Sequence, residues 1–87
     1  MITLGIDVSK AKIDCCIFPS GLTGKRKTKR FDNAQSGFVK LVKWLTELDV
    51  NLSDTRAVME ATSVYHENLA QFLYYRTYAL LFIDSLW

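Results

Sequence analysis

The opening alternation constrains the chain most: Ile2, Leu4 and Ile6 are apolar, whereas Thr3, Gly5 and Asp7 are not. A period of two is that of a strand with one buried face. Asp7 falls at the carboxyl end of this strand. A second run, residues 12–18, is rich in Ile, Cys and Phe, and Pro19, Ser20, Gly21 and Gly24 supply turn chemistry before residues 25–31. Three antiparallel strands in a meander are predicted.

Helical periodicity follows. Ser36 is placed to cap a helix whose apolar positions Phe38, Leu41, Val42, Leu45 and Leu48 keep the i, i+3, i+4, i+7 spacing, with Lys40, Lys43 and Glu47 on the other side. Residues 49–54 read as a polar connection and residues 56–60 as a fourth strand. Ser63 is expected to open a second helix with Tyr65, Leu69, Phe72 and Leu73 in one stripe and Glu67 in its first turns. The apolar run 78–83 is expected to be a buried strand. The predicted order is βββαβαβ, an α/β chain with a mixed sheet covered by helices.

With 87 residues, 49% of them apolar, the chain has material for one small domain and its core. Its formal charge of +2 is too small to identify a polyanionic partner, so any basic signal must be local. Cys15 and Cys16 are adjacent and would point to opposite faces of a strand, which argues for reduced thiols and a cytoplasmic setting. The longest wholly apolar stretch, Ala79–Ile83, is far below the roughly 20 residues of a membrane helix, and no membrane partner is expected.

Asp7 and Glu60 each end a strand beside a turn, where open α/β sheets place their sites. Were the two strands parallel neighbours, the carboxylates would converge and repel one another unless a divalent cation held both. The simpler alternative is that each carboxylate caps the turn after its strand.

The residues around both acids, Gly5-Ile6-Asp7-Val8-Ser9-Lys10 and Met59-Glu60-Ala61-Thr62-Ser63-Val64-Tyr65-His66, resemble the insertion-sequence one-ten family of transposases. The spacing of the two motifs and the segment from Asn33 to Leu45, with Gly37-Phe38, are also similar, so that the resemblance covers roughly residues 2–80. It implies an RNase H-like, RuvC-type domain spanning residues 1–87, incomplete at the carboxyl end. Such a domain carries an Asp-Glu-Asp-Asp tetrad that binds divalent metal, Mg²⁺ or Mn²⁺. Asp7 matches the first acid and Glu60 the second, as catalytic and metal-binding residues.

The resemblance further implies DNA and an element-encoded guide RNA as partners, a separate serine-bearing domain, and a bacterial or archaeal cytoplasm. This chain departs from the family at Ser63, where Gly is usual, and after Phe82, where Ile83-Asp84-Ser85-Leu86-Trp87 replaces an Asn-Pro. Asp84 comes too early for the tetrad. A frameshift or internal stop is the expected explanation. Because two carboxylates cannot fix two metal ions, the isolated chain is expected to be inert.

Lys25, Arg26, Lys27, Lys29 and Arg30 place five cations in six positions, and with Lys10 they are candidates for phosphate contact. A solvated hairpin guarding a sheet edge is the alternative. His66, the single histidine, is expected to be a helix-surface residue or turn contact. Tyr65, Tyr74, Tyr75 and Tyr78 read as core or interface rather than base-stacking faces.

Two other function classes remain. One is a non-enzymatic nucleic-acid-binding or dimerisation module acting as a homo-oligomer or on a full-length transposase. The other, ranked last, is a nucleotide-binding kinase fragment, whose phosphate turn needs glycine where this chain has Val8-Ser9-Lys10-Ala11. The exposed hydrophobic strand that truncation would leave at residues 78–83 is expected to promote association.

Overall fold

The computed structural model describes residues 1–19, 24–60 and 64–83. The predicted order βββαβαβ is the observed one: β1 (Ile2–Val8), β2 (Lys12–Ile17), β3 (Lys27–Asp32), α1 (Gln35–Glu47), β4 (Thr55–Glu60), α2 (Glu67–Tyr74) and β5 (Ala79–Ile83). The strands form a mixed sheet in the order β3-β2-β1-β4-β5. The first three make the antiparallel meander, and β4 joins β1 in parallel, followed by β5. Short 3-10 turns at Leu52–Asp54 and Val64–His66 precede β4 and α2.

Alternation along the strands divides the sheet into two faces. Leu4, Ile6, Ile13, Cys15, Ile17, Phe31, Ala57 and Met59 are buried in one cluster with Phe38, Leu41 and Leu45 of α1 and Leu69, Phe72 and Leu73 of α2. Both helices therefore cover the same face, and the rings of Phe38 and Phe72 meet 5.4 Å apart between them. Removing such a side chain from water stabilises the fold by about 1.5–3 kcal/mol. The other face carries Gly5, Asp7, Asp14, Cys16, Arg30, Val58 and Glu60 and is open.

The two cysteines fall on opposite faces as expected, Cys15 buried and Cys16 half-buried, both free. Burial, reinforced by the neighbouring Asp14 and Cys16, pushes the Cys15 thiol up to about 12.

Three expectations need correction. Helix α1 begins at Gln35 after an extended Ala34, with no side-chain cap, so Ser36 lies inside the helix. Asn33, the last polar residue before the helix, donates its amide to the carbonyls of Ser9 and Tyr65 instead, as described below. Tyr65 sits in the 3-10 turn and is 44% exposed, outside the buried stripe of α2. Strand β5 is an edge strand rather than a buried one: Leu81, Phe82 and Ile83 are about half exposed, and among the described residues no further strand pairs with β5 beyond β4. Ser63, the predicted opener of the second helix, and Asp84 lie outside the described residues.

The stop of α1 has a clear cause. Val50 N–H donates to the Leu45 carbonyl and Asp49 N–H to that of Thr46. Asp49 takes the left-handed conformation this closure requires, with φ 58°. Buried Val50 then turns the chain toward β4. Among the described residues no helix is long and apolar enough to cross a membrane.

Candidate functional site

The parallel pairing of β1 with β4 sets Ile2 opposite Thr55 and Ile6 opposite Met59, so the next step along each strand is Asp7 and Glu60. Ile6 and Met59 point into the core at 5% and 1% exposure, and alternation puts both carboxylates on the open face. Paired strands run about 4.8 Å apart, close enough for two such side chains to share one ion.

The same level of the sheet carries more chemistry. Glu60 lies opposite Ile83, Asp7 opposite Asp14, and Asp14 opposite Arg30. One row across the sheet reads Arg30, Asp14, Asp7, Glu60, Ile83, and all five line a single open groove of about 870 Å³. Sequence reasoning missed Asp14. The available signal was its position as a polar residue within the apolar run of β2.

Arg30 grips Asp14 at two points, Nε donating to Oδ1 at 2.7 Å and Nη2 to Oδ2 at 3.3 Å. This hydrogen bonding, with the carboxylate charge, raises the guanidinium further above its ordinary value. Among the described residues neither Asp7 nor Glu60 has a hydrogen-bonding or ionic partner. No group of three His, Cys, Asp or Glu side chains among them converges as a complete metal cage. The donor set is thus a pair of hard oxygen ligands, with a third carboxylate held aside by Arg30.

Asn33 ties together the segments that follow the two acids. Its Nδ2 donates to the carbonyl of Ser9, two residues beyond Asp7, and to that of Tyr65, five beyond Glu60, each at 2.9 Å. Its backbone N–H donates to the Ala11 carbonyl. One side chain thus anchors the β1–β2 turn to the 3-10 turn before α2.

The basic run does not present one surface. Arg30 joins the carboxylate row, whereas Lys27 and Lys29 alternate to the helix-covered side of β3, and the Lys29 ammonium lies 5.8 Å from the Phe31 ring. Lys25 and Arg26 precede the strand, and Lys10 lies in the β1–β2 turn; all three are exposed. His66 is a turn contact, its ring meeting that of Phe82 edge-on with centroids 5.5 Å apart, and its buried Nδ1 has no hydrogen-bond partner among the described residues. Tyr74, Tyr75 and Tyr78 are exposed rather than core.

Comparison with known proteins identifies the family. A family model described as "Transposase" matches residues 4–86. Pilin gene-inverting proteins of Moraxella lacunata and Moraxella bovis are each 37% identical over 67 residues, which is 77% of this chain. The match spans only 20% of each relative's length. A family match over nearly the whole chain, together with these relatives, shows that the protein belongs to the insertion-sequence one-ten family of transposases.

Proposed function

We propose that this chain is an amino-terminal, RNase H-like part of a mobile-element DNA transposase or recombinase, which handles nucleic acid and holds one divalent ion at Asp7 and Glu60. The observation that supports this best is the register that sets those two unpartnered carboxylates side by side on the open face. Mg²⁺ or Mn²⁺ suits them, because hard oxygen ligands from one or two carboxylates, completed by waters, satisfy such ions. When bound, the ion would supply positive charge to the oxygens of a phosphodiester undergoing displacement.

The chain's own residues divide the remaining work. Asp7 and Glu60 hold the ion, Arg30 neutralises Asp14 beside them, and Asn33 fixes the turns behind both acids. Lys10, Lys25, Arg26, Lys27 and Lys29 contribute positive charge for DNA or guide RNA, whereas Arg30, expected from the sequence to join them, is spent on Asp14. With two of the family's four acids unmatched, the chain is inactive alone.

Manganese titration followed by NMR tests the ion site. Selective broadening of amides flanking Asp7 and Glu60, lost in Asp7→Asn, is expected; broadening that is absent or uniform along the chain overturns the site. Guide-dependent DNA strand exchange by the purified protein would refute inactivity.

A second reading rests on the half-exposed Leu81, Phe82 and Ile83 of edge strand β5. They suit a regulatory module that pairs with a copy of itself or with a full-length transposase. An unchanged transposition frequency of an intact relative on co-expression of this chain excludes it.

A further inference from the structure

Away from the carboxylate row, a second groove of about 470 Å³ runs between β3, the outer strand of the sheet, and α1. Its cations are Lys12, Lys29, Lys40 and Lys43, with Arg30 at its margin already committed to Asp14 on the open face. Against those four lysines stand Asp32 and Glu47, so the groove alone carries an excess equal to the +2 of the whole chain. Lys12 bonds Asp32, and the Asp32 carboxyl is held below its ordinary value chiefly by that hydrogen bond and charge, with a smaller contribution from Lys40. Among the described residues Lys29, Lys40 and Lys43 have no carboxylate partner.

The lysines stand on both walls of the groove. Lys40 and Lys43 stand one turn apart on α1, about 4.5 Å along its axis, and Lys29 lies across the groove on β3. Half-buried Trp44, its ring 5.7 Å from that of Phe31, gives the groove a rigid apolar wall. A small anion needs donors that converge on one point; lysines spread over two facing walls of an open groove instead match a polyanion whose charges recur every few ångströms. Lysine is the residue for this, a point charge that meets phosphate without reading sequence.

We propose that the β3–α1 groove is a binding track for the phosphodiester backbone of a nucleic-acid strand, separate from the Asp7 and Glu60 site, with Lys29, Lys40 and Lys43 as its phosphate contacts. It rests on the reading of nucleic acid as the partner but not on residues 25–27, at and just before the start of β3. The groove lies at the outer edge of the sheet, so a strand held there passes beside Arg30 at the near end of the carboxylate row. The track thus guides the backbone rather than selecting bases.

The test is fluorescence anisotropy of the intact 87-residue protein with labelled single-stranded RNA and with labelled duplex DNA of unrelated sequence, across a salt series. Lys40→Gln with Lys43→Gln should weaken binding about tenfold at roughly 0.1 M salt and make the salt dependence shallower by about 0.7–0.9 per lysine. Glu47→Gln should tighten binding, an outcome that misfolding does not produce. The arm that shows both effects identifies the strand type. If affinity and slope are unchanged in the double variant while Lys25→Gln, Arg26→Gln and Lys27→Gln abolish binding, the groove is overturned and the basic lead-in stands. The opposite pattern keeps the groove and removes the lead-in. Failure of the unaltered protein to bind either nucleic acid overturns both.

Discussion

A Cβ added to Gly37 would fall 1.9 Å from the backbone carbonyl oxygen of Asp32. Helix α1 therefore begins almost in contact with the end of β3, and only glycine fits the approach. The obstacle is backbone, which cannot swing aside as a side chain can.

Gly37→Ala should destabilise the fold, although alanine is the better helix former by about 1 kcal/mol. Overpacking against well-packed surroundings costs typically about 1–3 kcal/mol, and the rigid carbonyl puts this site at the upper end. Urea unfolding should show a lower midpoint; an unchanged or higher one contradicts the close approach.

Asn33→Ala removes the two hydrogen bonds that its amide gives to the carbonyls of Ser9 and Tyr65. At about 1 kcal/mol per bond, a loss on the order of 2 kcal/mol is expected. Hydrogen exchange should speed up at the β1–β2 turn and in Val64–His66 together. Acceleration in one of them alone contradicts the clamp.

The depressed Asp32 carboxyl makes a pH prediction. A carboxyl whose folded value lies below its unfolded one contributes stability that is present above the unfolded value and lost as pH falls through the folded one. For Asp32 that window lies below pH about 4. In an NMR titration its midpoint should rise in Lys12→Gln, and rise less in Lys40→Gln, since Lys12 is the larger cause. Equal midpoints in all three proteins contradict the ion pair.

Strand β5 should drive association. Leu81, 44% exposed on the open face of the outer strand, is the position for a blocking charge. Solution scattering should report dimers or larger species for the unaltered chain and a shift toward monomer for Leu81→Lys. A monodisperse monomer at high concentration before substitution removes the prediction.

What could be read from the sequence follows the physics of each signal. Alternation in Ile2, Leu4 and Ile6 and the spacing of Phe38, Leu41 and Leu45 report burial directly, and those elements are where the pattern places them. Pairing partners are not written in any local pattern, so the parallel neighbourhood of Asp7 and Glu60 stood as a condition until the register met it. Asp14 was hidden for the same reason: it matters because it lies opposite Asp7, 7 residues away across a hairpin. Ser36 lies inside α1 because the helix starts at Gln35 without any side-chain cap, and Tyr65 lies outside the buried stripe because a 3-10 turn precedes α2, neither of which a local pattern records. For β5, composition showed an apolar strand but not which side of the sheet would lack a cover.

The register of β1 on β4 has one more consequence. The carboxylates are not aligned by bonds of their own but by the oil behind them: Leu4 and Ala57, Ile6 and Met59 are opposed in pairs and all are buried. Shifting β4 by one residue would turn every one of its side chains over, driving Arg56, Val58 and Glu60 into the core and Ala57 and Met59 out of it. An unpaired charge in that core costs several kcal/mol, so the misaligned sheet is rejected during folding without any proofreading by the site itself. The two acids can therefore change chemically, Asp7 to Asn or Glu60 to Gln, and still arrive at the same address.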